Sequence, residues 1–195
     1  MLDTPKRDDL GDLLDAGISA SRLNDIEAAV RLFADACAAF PTDARPQFLM
    51  GSELAAAGRI DEAEAALANA VLLAPDFHIA RYQLGLLQFS AARVAAALVT
   101  WAPLAALNED SPLRHFVQGF AALAQDDLAG ARARFEAGLS LDGEKSPAAA
   151  DVEKVLRALP HASGDAPPPQ LAREETSGRL HVLISNYGNA ATTVH

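Results

Sequence analysis

Small and large apolar residues recur along this chain at one fixed distance. Gly17, Gly51, Gly85 and Gly119 lie at intervals of 34 residues, and Ala29, Ala63, Ala97 and Ala131 follow twelve positions after each. Four residues further on stand Phe33, Leu67, Trp101 and Phe135, and three beyond those Ala36, Ala70, Leu104 and Gly138. Five more reach Pro41, Pro75, Glu109 and Gly143. A period in this range predicts a repeated supersecondary unit. Two helices per unit account for the spacing. The small residues let neighbouring helices approach, and the large apolar residue one turn after the alanine fills the space between them.

Punctuation along the chain agrees with that division. Short polar breaks, "SRLND", "AAGRID" and "AQDDL", separate the two helices of a unit at the length antiparallel neighbours need. Pro41 and Pro75 close the second helices of the first two units, because a proline ring cannot continue the hydrogen-bond ladder. Thr4-Pro5, Ser111-Pro112 and Ser146-Pro147 each offer an N-cap followed by proline at the first helical position. Pro103 falls inside the second helix of the third unit and predicts a kink or a shortened helix.

These small-residue, alanine, aromatic and proline positions resemble the tetratricopeptide repeat over about residues 10–143. The resemblance implies an all-α fold, a right-handed α-solenoid of helix-turn-helix repeats with a concave groove that binds peptides or helices. Four repeats are expected at about 10–43, 44–77, 78–111 and 112–145. The chain departs from the family where Glu109 and Gly143 replace the closing proline, and in Trp101, where the family usually has phenylalanine.

Beyond the repeats, "SPAAADVEKVLRAL" carries Ala148, Val152, Val155, Leu156 and Leu159 on one helical stripe. A solenoid needs a cap with one polar face, and a helix over 147–159 fits that role. The folded body, 1–159, is then followed at 160–179 by a stretch rich in proline and polar residues, which reads as a flexible linker. Residues 180–195 form an extended, apolar, strand-like tail, with Leu180, Val182, Leu183, Ile184 and Tyr187 close together.

Composition narrows the function. A net charge of −10 and a pI near 4.8 oppose nucleic-acid binding, which needs a basic stripe, and oppose an anionic membrane surface. No run of eighteen apolar residues predicts membrane insertion, and "MLDTPKRDDLGDLLDAG" has no apolar core of a signal peptide. The expectation is a cytoplasmic protein of bacterial type. Cys37 is the single cysteine, which excludes an intrachain disulfide, and its register predicts a buried helix position. The histidines His78, His115, His161, His181 and His195 show no metal-binding spacing, and no nucleophile or phosphate-binding motif is present. Neither an enzyme nor a cofactor is predicted.

The groove is therefore the expected site. On the first helix of each unit its stripe falls at −6, −3, +1 and +4 from the repeat glycine. Those offsets pick sixteen residues, among them Gly11, Ser21, Arg45, Ser52, Ala55 and Leu113; the candidates for apolar contact are Leu14, Ile18, Phe48, Ile79, Tyr82, Leu86, Phe89, Phe116, Phe120 and Leu123, with Leu86, Phe89, Phe116 and Phe120 as the main anchors. Co-chaperones of this family that hold acidic C-termini use lysine, asparagine and arginine at such places; Arg45 is the main basic residue here. The expected partner is another protein presenting an apolar peptide or helix. The groove could instead be covered by the chain's own tail, in cis or from a second copy. A homodimeric scaffold or a secretion-type chaperone, with groove or tail at the subunit interface, is the alternative.

Overall fold

The computed structural model describes residues 7–143 and 146–159. Nine α-helices make up the described chain, with no strand: α1 (Arg7–Arg22), α2 (Ile26–Ala39), α3 (Ala44–Ala56), α4 (Ile60–Leu73), α5 (His78–Ser90), α6 (Val94–Ala105), α7 (Pro112–Leu123), α8 (Leu128–Leu141) and α9 (Pro147–Ala158). The fold class is all-α, a helical repeat, as the periodicity predicts.

The turns inside the units are the most regular feature. Asn24, Gly58, Ala92 and Asp126 each take a left-handed backbone conformation, with φ of 59°, 75°, 60° and 60°. These positions are again 34 residues apart. In every one, the next residue's N–H returns to the last turn of the first helix. Asp25 donates to the Ala20 carbonyl, Arg59 to Leu54, Arg93 to Gln88 and Asp127 to Ala122, at 2.9–3.0 Å. This six-to-one bond closes a helix whose final carbonyls would otherwise lack donors. The second helix starts at once. Asp25 and Asp127 cap it by accepting from the N–H of Ala28 and Gly130, whereas Arg59 and Arg93 make no side-chain cap.

The prolines act as read at entry and exit, and one of the expected caps does not. Pro41 and Pro75 stand just beyond α2 and α4. Pro112 and Pro147 open α7 and α9, and Ser146 caps α9 by accepting from Ala149 N–H, while Ser111 makes no side-chain cap bond. Thr4-Pro5 lies outside the described residues. Pro103 lies inside α6, which continues to Ala105 and has 12 residues where α2, α4 and α8 have 14.

The chain divides into two compact units, Met1–Leu87 and Gln88–His195, with the boundary inside α5. In the first, α1 packs on α2, α2 on α3, and α3 on α4. Its core gathers Leu10, Leu14, Ala29, Phe33 and Ala36, then Leu54, Ala63 and Ala66, then Ala44, Ala70 and Ala80. The repeat glycines act through space rather than conformation. A side chain at Gly17 would strike the Phe33 ring, and a Cβ at Gly51 would lie 2.8 Å from Leu67 Cγ. Cys37, on α2, is half-buried, and desolvation pushes its thiol pKa up, so the thiolate is disfavoured.

In the second unit α6 packs on α7, α7 on α8, and α8 on α9. Trp101 stacks on Phe120 with ring centroids 5.2 Å apart, Phe89 meets both at 5.8 and 5.3 Å, and Phe120 meets Phe135 edge-on at 5.0 Å. At the far end α9 buries Ala148, Ala149, Val152 and Leu159, with Val155 and Leu156 half-buried. The Arg132 guanidinium donates from α8 to the Leu159 carbonyl at 3.3 Å.

Candidate interaction face

The residues expected to line a binding groove divide sharply by depth. Leu14, Tyr82, Phe89, Phe116, Phe120 and Leu123 are all under 9% exposed, and Tyr82 and Phe116 are wholly enclosed. Three of the four expected main anchors, Phe89, Phe116 and Phe120, are thus core residues of the second unit and cannot receive a ligand without unpacking it. The cause is volume. Phe89 and Phe120 close around the indole of Trp101, and Phe116 fills a space that Gly138 leaves open, where a Cβ would strike the Phe116 ring. An aromatic side chain on a first helix is long enough to turn under the second helix beside it and be swallowed by the core.

Four expected residues remain at the surface. Ile18, Phe48, Ile79 and Leu86 are half-buried, and all belong to the first unit, on α1, α3 and α5. Ile18 leans on the core around Phe33, and Phe48 packs against the core at Ala44, Ala70 and Ala80, its ring 4.8 Å from that of Phe77. Between them the three first helices are cross-linked by polar rungs. Ser21 Oγ donates to Glu53 Oε2 at 2.7 Å from α1 to α3, and Ser52 Oγ donates to Gln83 Oε1 at 2.7 Å from α3 to α5. Periodicity arguments missed these rungs because serine and glutamine at single positions carry no repeating signal.

Arg45, the basic residue on this stripe, is committed elsewhere. Its guanidinium forks onto Asp43 at 2.7–3.2 Å, and the same carboxylate accepts the Arg45 N–H at the start of α3. These hydrogen bonds to one acid hold the Arg45 guanidinium beside the start of α3. His115 Nε2 lies 2.8 Å from the Glu109 carbonyl, and Arg114 donates to the Leu107 carbonyl at 2.9 Å, so both pin the loop between α6 and α7. Among the described residues no group of histidine, cysteine and carboxylate side chains is arranged to hold a metal, and no helix is long and apolar enough to cross a membrane.

Large apolar side chains outside the expected set are also open to solvent. Leu23 at 81% and Leu72 at 78% lie in the first unit, in the α1–α2 turn and near the end of α4, and Val99 at 76% lies on α6 of the second. For α6 the signal was in the sequence: "VAAALVTWAPLA" contains no charged residue, whereas α2 and α8 carry both acids and bases and α4 carries three acids. The tail residues Leu180, Val182, Leu183, Ile184 and Tyr187 lie outside the described residues.

No known family model matches the sequence, and no curated protein does. Solved structures do. The MamA RS-1 ArsTM double mutant is similar at a TM-score of 0.60 and 17% identity, over 91% of this chain and 96% of that one. MamA 41-end from Desulfovibrio magneticus RS-1 gives 0.59 and 14%, over 94% and 97%. The Cut9-Hcn1 hetero-tetramer of the APC/C gives 0.66 and 20%, over 94% of this chain but 34% of that one. MamA and Cut9 are tetratricopeptide-repeat proteins, and at these identities the likeness speaks to fold. By fold, this chain is a tetratricopeptide-repeat-like protein.

Proposed function

We propose that the chain is a protein–protein interaction module that receives an apolar segment of a partner, peptide or helix, on the first-helix face of its N-terminal unit. The observation that carries this reading is the arrangement of Ile18, Phe48, Ile79 and Leu86, half-buried on α1, α3 and α5 beside two hydrogen-bonded rungs. Ile18 and Phe48 are anchored from below, and each of the four keeps solvent-facing surface to bury, worth roughly 1 kcal/mol apiece at the usual transfer coefficient. The rungs hold the spacing between helices, so the apolar points present a fixed register. The likeness to tetratricopeptide structures supports protein partners in general.

The test is a crosslinking capture from the native host with wild-type chain and with an Ile18→Asp, Leu86→Asp double variant. Both positions are half-buried, so helical circular dichroism and the thermal midpoint are measured first to establish that the variant is folded. The proposal expects at least one partner held by the wild type and lost from the variant. A variant that folds and keeps every partner would refute it.

A further inference from the structure

The surface that carries Ile18, Phe48, Ile79 and Leu86 also holds a carboxylate. Glu53, on α3, is half-buried, and its Oε2 accepts the Ser21 hydroxyl of α1 at 2.7 Å. Ser21 stands one helical turn beyond Ile18, so this bond draws the charge to the edge of the apolar patch. Other carboxylates of the unit are answered by bases: Asp43 by Arg45, and Glu27 and Glu62 by Arg59. Glu53 is answered by a hydroxyl. Among the described residues no lysine, arginine or histidine pairs with it, and its Oε1 accepts no hydrogen bond. What Glu53 still offers an incoming chain is a charged acceptor.

An apolar segment that covers Ile18 and Leu86 also strips water from Glu53. A charge that loses water and gains no partner opposes binding. A cation placed there turns the same carboxylate into an attachment point. We infer that the partner segment is basic as well as apolar, with a lysine or arginine set to meet Glu53. The inference rests on the first-helix face of the N-terminal unit being the binding surface. Charge across the unit supports it. Residues 1–87 hold fourteen acids against seven bases, a net −7 of the chain's −10. Such a field draws a cationic segment in and turns an acidic one away. Packed neighbouring helices lie about 10 Å apart, and an extended chain rises about 3.3 Å per residue. The base therefore falls within about three residues of the apolar side chain that meets Ile18.

A display library of random short peptides, panned on the full chain, supplies the probes, and fluorescence polarisation reads their affinity. The enriched peptides should join apolar residues to a lysine or arginine. Glu53→Gln keeps an oxygen for the Ser21 hydroxyl and should weaken these peptides about tenfold, the low end for a close charge pair. The same variant should hardly affect a peptide whose base is replaced by glutamine. Glu53→Lys, offered a peptide with glutamate in place of its base, should regain binding, a rescue that a merely structural role would not give. Helical circular dichroism establishes that each variant is folded. Peptides lost from the Ile18→Asp, Leu86→Asp variant yet lacking a base, or indifferent to Glu53→Gln, would overturn this inference and leave the interaction face standing. Peptides held equally by that double variant would remove the face and this inference with it, and so would a selection that enriches none over bare support.

Discussion

At the scale of single residues, the four left-handed turn positions show a backbone demand met by unequal side chains. Asn24 and Asp126 are tolerated there because short polar side chains accept the left-handed region, Gly58 is free of strain, and Ala92 is not. An alanine at φ 60° costs about 1 kcal/mol relative to glycine. Ala92→Gly is therefore expected to stabilise the protein by about that amount, a rise of roughly 2–4 °C in thermal midpoint for a chain of this size. Asn24→Gly should do much less. A fall in midpoint for Ala92→Gly would show that the turn is not strained. No periodic hydrophobic pattern could have revealed this position, since Asn, Gly, Ala and Asp share no apolar character. What they share is a torsion angle, and the interval of 34 exposes it only once the backbone is known.

At the scale of elements, the second helices begin in two different ways. α2 and α8 have an aspartate that accepts a backbone N–H of the first turn; α4 and α6 rely on the preceding turn alone. Asp127→Ala should cost about 1 kcal/mol in urea unfolding, and Asp127→Asn should cost much less, because the amide oxygen can accept the same bond. An equal loss from both would mean that the charge, not the cap, matters. Helix positions were legible in the sequence for the same local reasons: Ser-Pro openings, prolines after the helices and polar turns each act within a few residues. The candidate site was less so. Whether Phe116 lines a groove or fills a core depends on Gly138, on another helix, and on how far that helix approaches. Phe89 and Phe120 depend likewise on the bulk of Trp101. The pattern that marks a face as apolar is identical for a core and for a binding surface, so burial had to come from packing.

At the scale of the molecule, the two units divide the work the sequence had assigned to one groove. The first keeps Ile18, Phe48, Ile79 and Leu86 half-open while burying Leu14 and Tyr82, and the second buries Phe89, Phe116, Phe120 and Leu123, with Phe89 and Phe120 in its aromatic cluster. Phe120→Ala should destabilise the second unit by about 3–5 kcal/mol. Trp101, the chain's one tryptophan, reports it directly, through a red-shifted emission and an earlier unfolding midpoint by fluorescence. Little change would mean that Phe120 is a surface anchor after all.

The turns that recur at Asn24, Gly58, Ala92 and Asp126 bear on how such a chain lengthens or shortens. A recombination joint placed at one of these residues links equivalent backbone torsions on either side. Gain or loss of a 34-residue cassette there preserves both the closure of the upstream helix and the start of the downstream one. The joint asks almost nothing of side-chain identity, so copies can drift far apart in letters while staying interchangeable as parts.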